Sequence, residues 1–286
     1  MTLSSFKVEV GGLELKITLE ELSKLHIHEE IIPEMLDALV KKIQADKVFK
    51  DPVIVDEKTL VVLDGMHRVA ASKRLGFKYI PVCLVNYDDP RIKLYAWSRG
   101  IVGIDVNKLM KVVNEVGFTY VKLGDVKEAL RELRGRRYSV LIVTRGDLYG
   151  LVSNTQDIKS VYDRVKFVEE AVKQESGAIY YFTEEESIEK VSRGEIDLAL
   201  IPTAITKEEV RSVALRGEVF IHKATRHVIP ARPLGINVPL EWLKDTNPLS
   251  DLRTRLVEYL SRRRFKKLPP GTVLDRRYDE ELLVFE

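Results

Sequence analysis

Cysteine is almost missing from this chain: Cys83 is the single one in 286 residues. Internal disulfides and cysteine-rich metal sites are therefore excluded, which fits a reducing interior. Long hydrophobic runs are missing too, because no stretch reaches the roughly 18 apolar residues a membrane span needs. The first residues, Met1 to Glu9, show no basic segment leading into an apolar run; no secretory signal is read there, and a cytoplasmic location without membrane partners is expected. Charge of one sign is also scarce. With 46 Lys and Arg against 44 Asp and Glu the net charge is +2, so global electrostatics do not predict nucleic-acid binding. Familiar nucleotide signatures are missing as well: there is no Gly-x-x-x-x-Gly-Lys-Ser/Thr loop, no Gly-x-Gly-x-x-Gly and no protein-kinase motif set. A Gly-x-Ser-x-Gly elbow and the paired histidines of a zinc protease are equally lacking.

What is present is a large core. Hydrophobic residues make up 45% and charged residues 31%, enough for two globular domains and an added segment. Abundant Glu, Lys and Arg with few Gln, Asn and Cys resemble thermophile usage. Phe6 to Val10 and Leu13 to Ile17 alternate around Gly11-Gly12, a hairpin signal. Thr18 followed by Glu21 reads as a capping box for a short helix ending near Leu25. Pro33 suits the first turn of a helix that lines up Met35, Leu36, Leu39, Val40 and Ile43. Pro52 to Val55, Thr59 to Leu63 and Tyr79 to Val85 read as strands, with a helix from Met66 closing at Gly76. From about residue 101, helices are expected over Lys108 to Val116, Val126 to Arg134 and Val161 to Gln174. Strands are expected over Ser139 to Val143, Ala178 to Phe182 and Leu198 to Ile201. Past Pro248, Ser250 can cap a helix carrying Leu252, Leu256, Tyr259 and Leu260, followed by the basic run Arg262 to Lys267.

The most informative residues are Asp64-Gly65-Met66-His67-Arg68, a strand end running straight into a helix. Free N–H groups and the helix dipole favour an anion there, Gly65 permits close approach, and two basic side chains stand in the first turn. Two bases at a helix N-terminus oppose the dipole and so call for an anion. Plainer readings exist: Asp64 as a helix cap, Glu29 beside Glu30 as a solvated loop charge, and Trp97 as packing.

This pentapeptide, preceded by a strand and followed by a small-residue helix, resembles the phosphate-binding motif of the ParB and sulfiredoxin superfamily. Three further segments narrow the match. His28-Glu29, Leu94 to Trp97, and Thr206 to Val210 through Arg216 to Phe220 to Thr225-Arg226-His227-Val228-Ile229-Pro230 resemble the archaeal free serine kinases, which phosphorylate L-serine to O-phosphoserine. The ordered resemblance covers roughly residues 13 to 240.

The resemblance implies an α/β (α+β) protein. A ParB/sulfiredoxin-like nucleotide-binding domain would span residues 1–100, and a second α/β domain, 101–244, would complete the serine site. Residues 245–286 lie outside the resemblance; the composition shift after Pro248 reads as a C-terminal helical extension that docks on the body or on a second subunit, as in a homo-oligomer. Glu29 then matches the family's essential glutamate, the base for the serine hydroxyl, with Glu30 one position away. Asp64 becomes a second carboxylate or the holder of Mg²⁺, and Asp64, Gly65, His67 and Arg68 the nucleotide phosphate site. Arg226 is a carboxylate or phosphate clamp flanked by Thr225 and His227, and Trp97 closes the substrate pocket. The implied ligands are L-serine and ATP or ADP; the donor, and any link to cysteine biosynthesis, stay open. A ParB-like nucleotide-dependent DNA-binding regulator is the alternative, motivated by Arg262-Arg263-Arg264 and Lys266-Lys267, although no helix-turn-helix follows the first domain. A sulfiredoxin-type reductase needs a cysteine where Met66 stands.

Overall fold

The structure, a computed structural model, describes residues 4–244, 247–274 and 277–286. It divides into two compact units. One comprises the described residues of Met1–Lys93, Val210–Val219 and His227–Glu286, and the other Leu94–Glu209 and Phe220–Arg226. Against the expected domains 1–100, 101–244 and 245–286, the chain returns to the first unit twice.

The first unit holds a five-stranded sheet in the order Phe6–Val10, Leu13–Glu21, Tyr79–Val85, Val53–Asp56, Val62–Asp64. Its neighbours are antiparallel except Val53–Asp56 beside Tyr79–Val85, which run parallel. The expected helix after Thr18 does not form. Thr18 to Glu21 pair with Val82 to Tyr79, and the Thr18 hydroxyl donates to the Ser4 carbonyl at 2.6 Å. Strand pairing overrides the local capping signal, leaving only a 3₁₀ turn at Leu22–Lys24. Helix Pro33–Asp46 has its proline in the first turn as expected, yet Ile43 is its only buried residue. Cys83 is fully buried in the Tyr79–Val85 strand, and burial pushes its thiol up to about 12.

The C-terminal segment is more than the helix expected. Helix Leu249–Ser261 starts after Pro248, with Ser250 inside its first turn, and buries Leu252, Leu256, Val257 and Leu260. Arg253 donates to the Leu19 carbonyl at 2.9 Å and pairs with Glu20, fixing the helix to the sheet. Two strands follow, Phe265–Leu268 and Glu281–Phe285, which join Ala231–Leu234 in a three-stranded sheet with Glu281–Phe285 central. Members of the basic run are used within this unit. Arg263 donates to the carbonyls of Gly235 and Ile236 at 2.9 and 2.8 Å, and Lys267 to that of Glu9 at 2.9 Å.

The second unit is a six-stranded antiparallel sheet, ordered Ala178–Phe182, Ser98–Val102, Leu198–Pro202, Val140–Thr144, Leu148–Ser153, Phe118–Leu123. Its two-residue period separates two cores. Val140, Ile142, Leu198 and Leu200 pack under helices Val106–Glu115 and Ile158–Gln174. Leu141, Val143, Ala199 and Ile201 pack under Val126–Arg134 and Glu184–Arg193. No helix among the described residues is long and apolar enough to cross a membrane.

Candidate active site

In the first unit the expected strand-to-helix turn at Asp64-Gly65-Met66 is present. Strand Val62–Asp64 ends one residue before helix Met66–Arg74, and Gly65 is the helix N-cap with φ +99° and no side-chain cap. Its first N–H groups thus lack the usual capping oxygen. A Cβ at Gly65 would come within 2.8 Å of the Arg68 guanidinium, and the left-handed backbone angle itself calls for glycine.

Asp64 precedes the N-cap and is held by two arginines. Its Oδ2 accepts from Arg68 Nη2 at 2.7 Å and from Arg232 Nη1 at 2.6 Å. Arg68 Nη1 also donates to the carbonyls of Asp51 and Pro52, each at 2.8 Å. Arg68 is therefore fastened beside the turn, where it lines a pocket of about 100 Å³ with Leu39, Ile43, Val48 and Phe49. Lys42, Asp46, Lys50 and Asp51 complete its lining. Its apolar part has the size for part of a planar base. Burial works to lower the Arg232 pKa, but the charges of Asp64 and Glu280 raise it above its ordinary value.

The Glu29 loop is tied to the same turn at both ends. His26 N–H donates to the Leu60 carbonyl at 3.1 Å and Val62 N–H to the His26 carbonyl at 2.9 Å. The His28 ring, fully buried, places Nδ1 2.8 Å from the Val62 carbonyl, which makes Nδ1 the protonated nitrogen. On the far side, Ile32 N–H donates to His67 Nε2 at 3.0 Å. An accepting Nε2 carries no proton, so His67 reaches any phosphate through its other nitrogen while its Nε2 holds the loop. Between these anchors Glu29 is 6% exposed whereas Glu30 is only half-buried. A buried carboxylate is uncommon and separates the two candidates that the sequence leaves adjacent.

His227 also belongs to the first unit. Its ring stands edge-on to His28 at 5.4 Å, and its Nε2 lies 2.7 Å from the Tyr87 hydroxyl. Arg211 lies over the Tyr87 ring at 5.1 Å and pairs with Asp56 at 2.9 Å and Asp88 at 2.6 Å. Lys58 and Arg211 hold the Asp88 carboxyl at about 2.

The remaining candidates lie in the second unit. Trp97 is half-buried just before strand Ser98–Val102. It has Lys223 Nζ 4.9 Å from its ring and the Arg226 guanidinium at 5.5 Å, and Arg226 also lies 5.8 Å from the Tyr95 ring. Two cations beside one indole form a cation–π cluster able to receive an anionic group. Thr225 is buried. The loop before it is held by the Tyr162 hydroxyl, 2.9 Å from the Thr203 carbonyl and 3.4 Å from that of Ala224. Lys223 escaped the sequence reading. Its φ of +60° is rare for a non-glycine residue, and such angles collect at functional sites, but they have no sequence signature.

Among the described residues no group of three His, Cys, Asp or Glu side chains is placed to hold a metal ion. Magnesium commonly binds through one or two carboxylates, with phosphates and water completing the shell. Asp64, partly exposed at the strand end before helix Met66–Arg74, is of the residue type that fits that mode.

No family model matches the chain. It is 31% identical over 233 residues to the ATP-dependent L-serine kinase of Staphylothermus marinus, covering 78% of this chain and 90% of that protein. The chain belongs to the L-serine kinase family. It is also 30% identical over 242 residues to the ADP-dependent L-serine kinase SerK of Thermococcus kodakarensis, covering 83% and 97% of the two proteins. A solved free serine kinase, a glutamate-to-alanine variant in complex with AMP, superposes with a TM-score of 0.69 at 26% identity over 84% of this chain and 96% of that one. The mixed α/β fold is therefore that of the L-serine kinases. A ParB-like protein of Sulfolobus acidocaldarius is 32% identical over 76 residues, 27% of this chain, a much shorter match.

Proposed function

We propose that this chain phosphorylates free L-serine to O-phospho-L-serine with ATP or ADP as donor, and that the residues described above divide the work as follows. Phosphoryl transfer needs an oriented nucleophile and neutralised charge more than covalent help from the protein. Glu29 accepts the proton of the serine hydroxyl. The N-terminus of helix Met66–Arg74, with Gly65 and His67, receives the donor phosphates, and the pocket along Leu39, Ile43 and Phe49 takes the base. Asp64 is the residue that would hold Mg²⁺, which there would neutralise phosphate charge. Lys223, Thr225 and Arg226 beside Trp97 bind the carboxylate of serine.

One observation carries this reading. The buried Glu29 sits on a loop fastened by His28 to the strand of the phosphate turn and by His67 to its helix. A buried carboxylate beside an anion-binding turn suits a base working next to a phosphoryl donor.

The test incubates the purified protein with Mg²⁺ and L-serine, with ATP and ADP in separate reactions, and measures O-phosphoserine directly. Product with either donor is expected and identifies it. Absence of product with both, while nucleotide still binds, overturns the assignment.

A further inference from the structure

We propose that Arg232 and Glu280 are positioning residues for the nucleotide site, acting through Asp64, so that the C-terminal strand pair takes part in holding the phosphate turn. This rests on the reading of Asp64-Gly65 as the nucleotide phosphate site. Asp64, Arg232 and Glu280 stand far apart in sequence yet form one chain of alternating charge: Arg68 Nη2 to Asp64 Oδ2 at 2.7 Å, Arg232 Nη1 to the same oxygen at 2.6 Å, and Arg232 Nε to Glu280 Oε1 at 2.7 Å. The side chains of Arg232 and Glu280 are only 13% and 12% exposed.

The fold explains why these two meet. Ala231–Leu234 runs parallel to Glu281–Phe285 with Arg232 opposite Leu282, which puts Glu280 just before the partner strand. Leu234, Tyr278 and Leu282 pack as a small core that fixes the register. Above Asp64, Arg68, Arg232 and Tyr278 a polar pocket of about 250 Å³ opens.

A carboxylate held by Arg68 alone, four residues along the chain, would be free to turn. With Arg232 on the same Oδ2 its orientation is set from two directions. Small displacements of a positioning group carry large rate and affinity costs. The guanidinium fork is needed because its Nη1 and Nε reach two different carboxylates at once, which a lysine cannot reproduce.

The experiment measures affinity for a fluorescently labelled ADP by direct titration, together with KM for nucleotide and for serine. It compares the full-length wild type with Glu280→Gln, Arg232→Lys and both in an Asp64→Asn background. Melting curves check folding. Arg232→Lys should weaken nucleotide binding about tenfold and Glu280→Gln a few-fold, with the serine KM unchanged. In the Asp64→Asn background neither should weaken it further, because both act through that carboxylate. Folded variants with wild-type nucleotide affinity, an equal rise in both KM values, or full additivity with Asp64→Asn would overturn the proposal. Should Arg232→Lys fail to fold, Glu280→Gln, which keeps an acceptor for Arg232, decides alone. Because the titration needs no turnover, a wild type that binds nucleotide but makes no phosphoserine would sink the kinase assignment and leave this one standing.

Discussion

Each unit contains an arginine–carboxylate network, and the two differ in access to water. In the second unit Arg99 and Glu169 pair at 2.8 Å with side-chain exposures of 0% and 4%. The Tyr181 hydroxyl donates to Glu169 at 3.2 Å, and Arg99 Nη1 donates to the Trp97 carbonyl at 2.6 Å. In the first unit Asp64, joined to Arg68 and Arg232, is 39% exposed and borders an open polar pocket. A sealed ion pair fixes the backbone around it and offers nothing to a ligand. A carboxylate oriented by two arginines but exposed at a pocket is within reach of one. Burial thus separates the two networks, although both use the same residue types.

Substitutions at the carboxylates break this contrast most sharply. Glu29→Gln keeps shape and hydrogen bonding but removes the base. The expected loss is about 10²–10⁴-fold in kcat with nucleotide affinity retained, measured by phosphoserine formation and labelled-ADP titration; an equal loss of binding would refute the role. Next come Glu169→Gln and Asp64→Asn, expected to act in opposite ways. Glu169→Gln leaves the Arg99 charge uncompensated in the core, where removing one partner costs about 3–5 kcal/mol, so the melting temperature should fall by roughly ten degrees. Folded molecules should keep their nucleotide KM. Asp64→Asn should lower kcat/KM about a hundredfold with little change in melting. If Asp64→Asn melted early and Glu169→Gln lost nucleotide affinity, the distinction drawn from burial would be wrong.

A smaller effect is expected where the second unit supplies cations to Trp97. Arg226→Ala and Lys223→Met should each raise the serine KM about tenfold while leaving labelled-ADP affinity alone. A rise in nucleotide KM of the same size would remove the division of labour between the clusters.

How much of this could be read from the sequence follows from the same physics. The strand-to-helix junction at Asp64-Gly65 was legible because strand end, glycine and basic first turn are contiguous, and helix Val126–Arg134 because its apolar period is regular. Strand Ser98–Val102 was not. Gly100 reads as a breaker, but a Cβ there would meet Phe182 and Ile196 at 2.6 to 2.9 Å, so the glycine makes room for packing. Strand Phe118–Leu123 is an edge strand with a mostly exposed run of Thr119, Tyr120, Val121 and Lys122, which gives no alternation to detect. Glu29 could be told from Glu30 only by burial, a tertiary property. Arg232 and Glu280 lie 48 residues apart, joined by a parallel strand pair that no local pattern announces.

The finest test concerns the first unit's own buried group. His28 is buried among His227, at 5.4 Å ring to ring, and the charge of Glu29. Burial is the larger influence and lowers its pKa below the ordinary 6.5, against the opposing effect of Glu29 and the Val62 carbonyl. The neutral ring is therefore favoured in the folded state, whereas the unfolded chain takes up a proton near 6.5. As pH falls through that value the unfolded state binds more protons and gains stability, so this contribution to folding is full above it and is lost as pH drops toward the folded pKa. The melting temperature of the wild type should then decline between about pH 7.5 and about pH 5. His28→Asn, whose amide can still donate to the Val62 carbonyl, should flatten that decline by a few degrees. Parallel curves for the two proteins would mean that His28 takes up its proton in place, and that the loop bearing Glu29 is wetter than its burial implies.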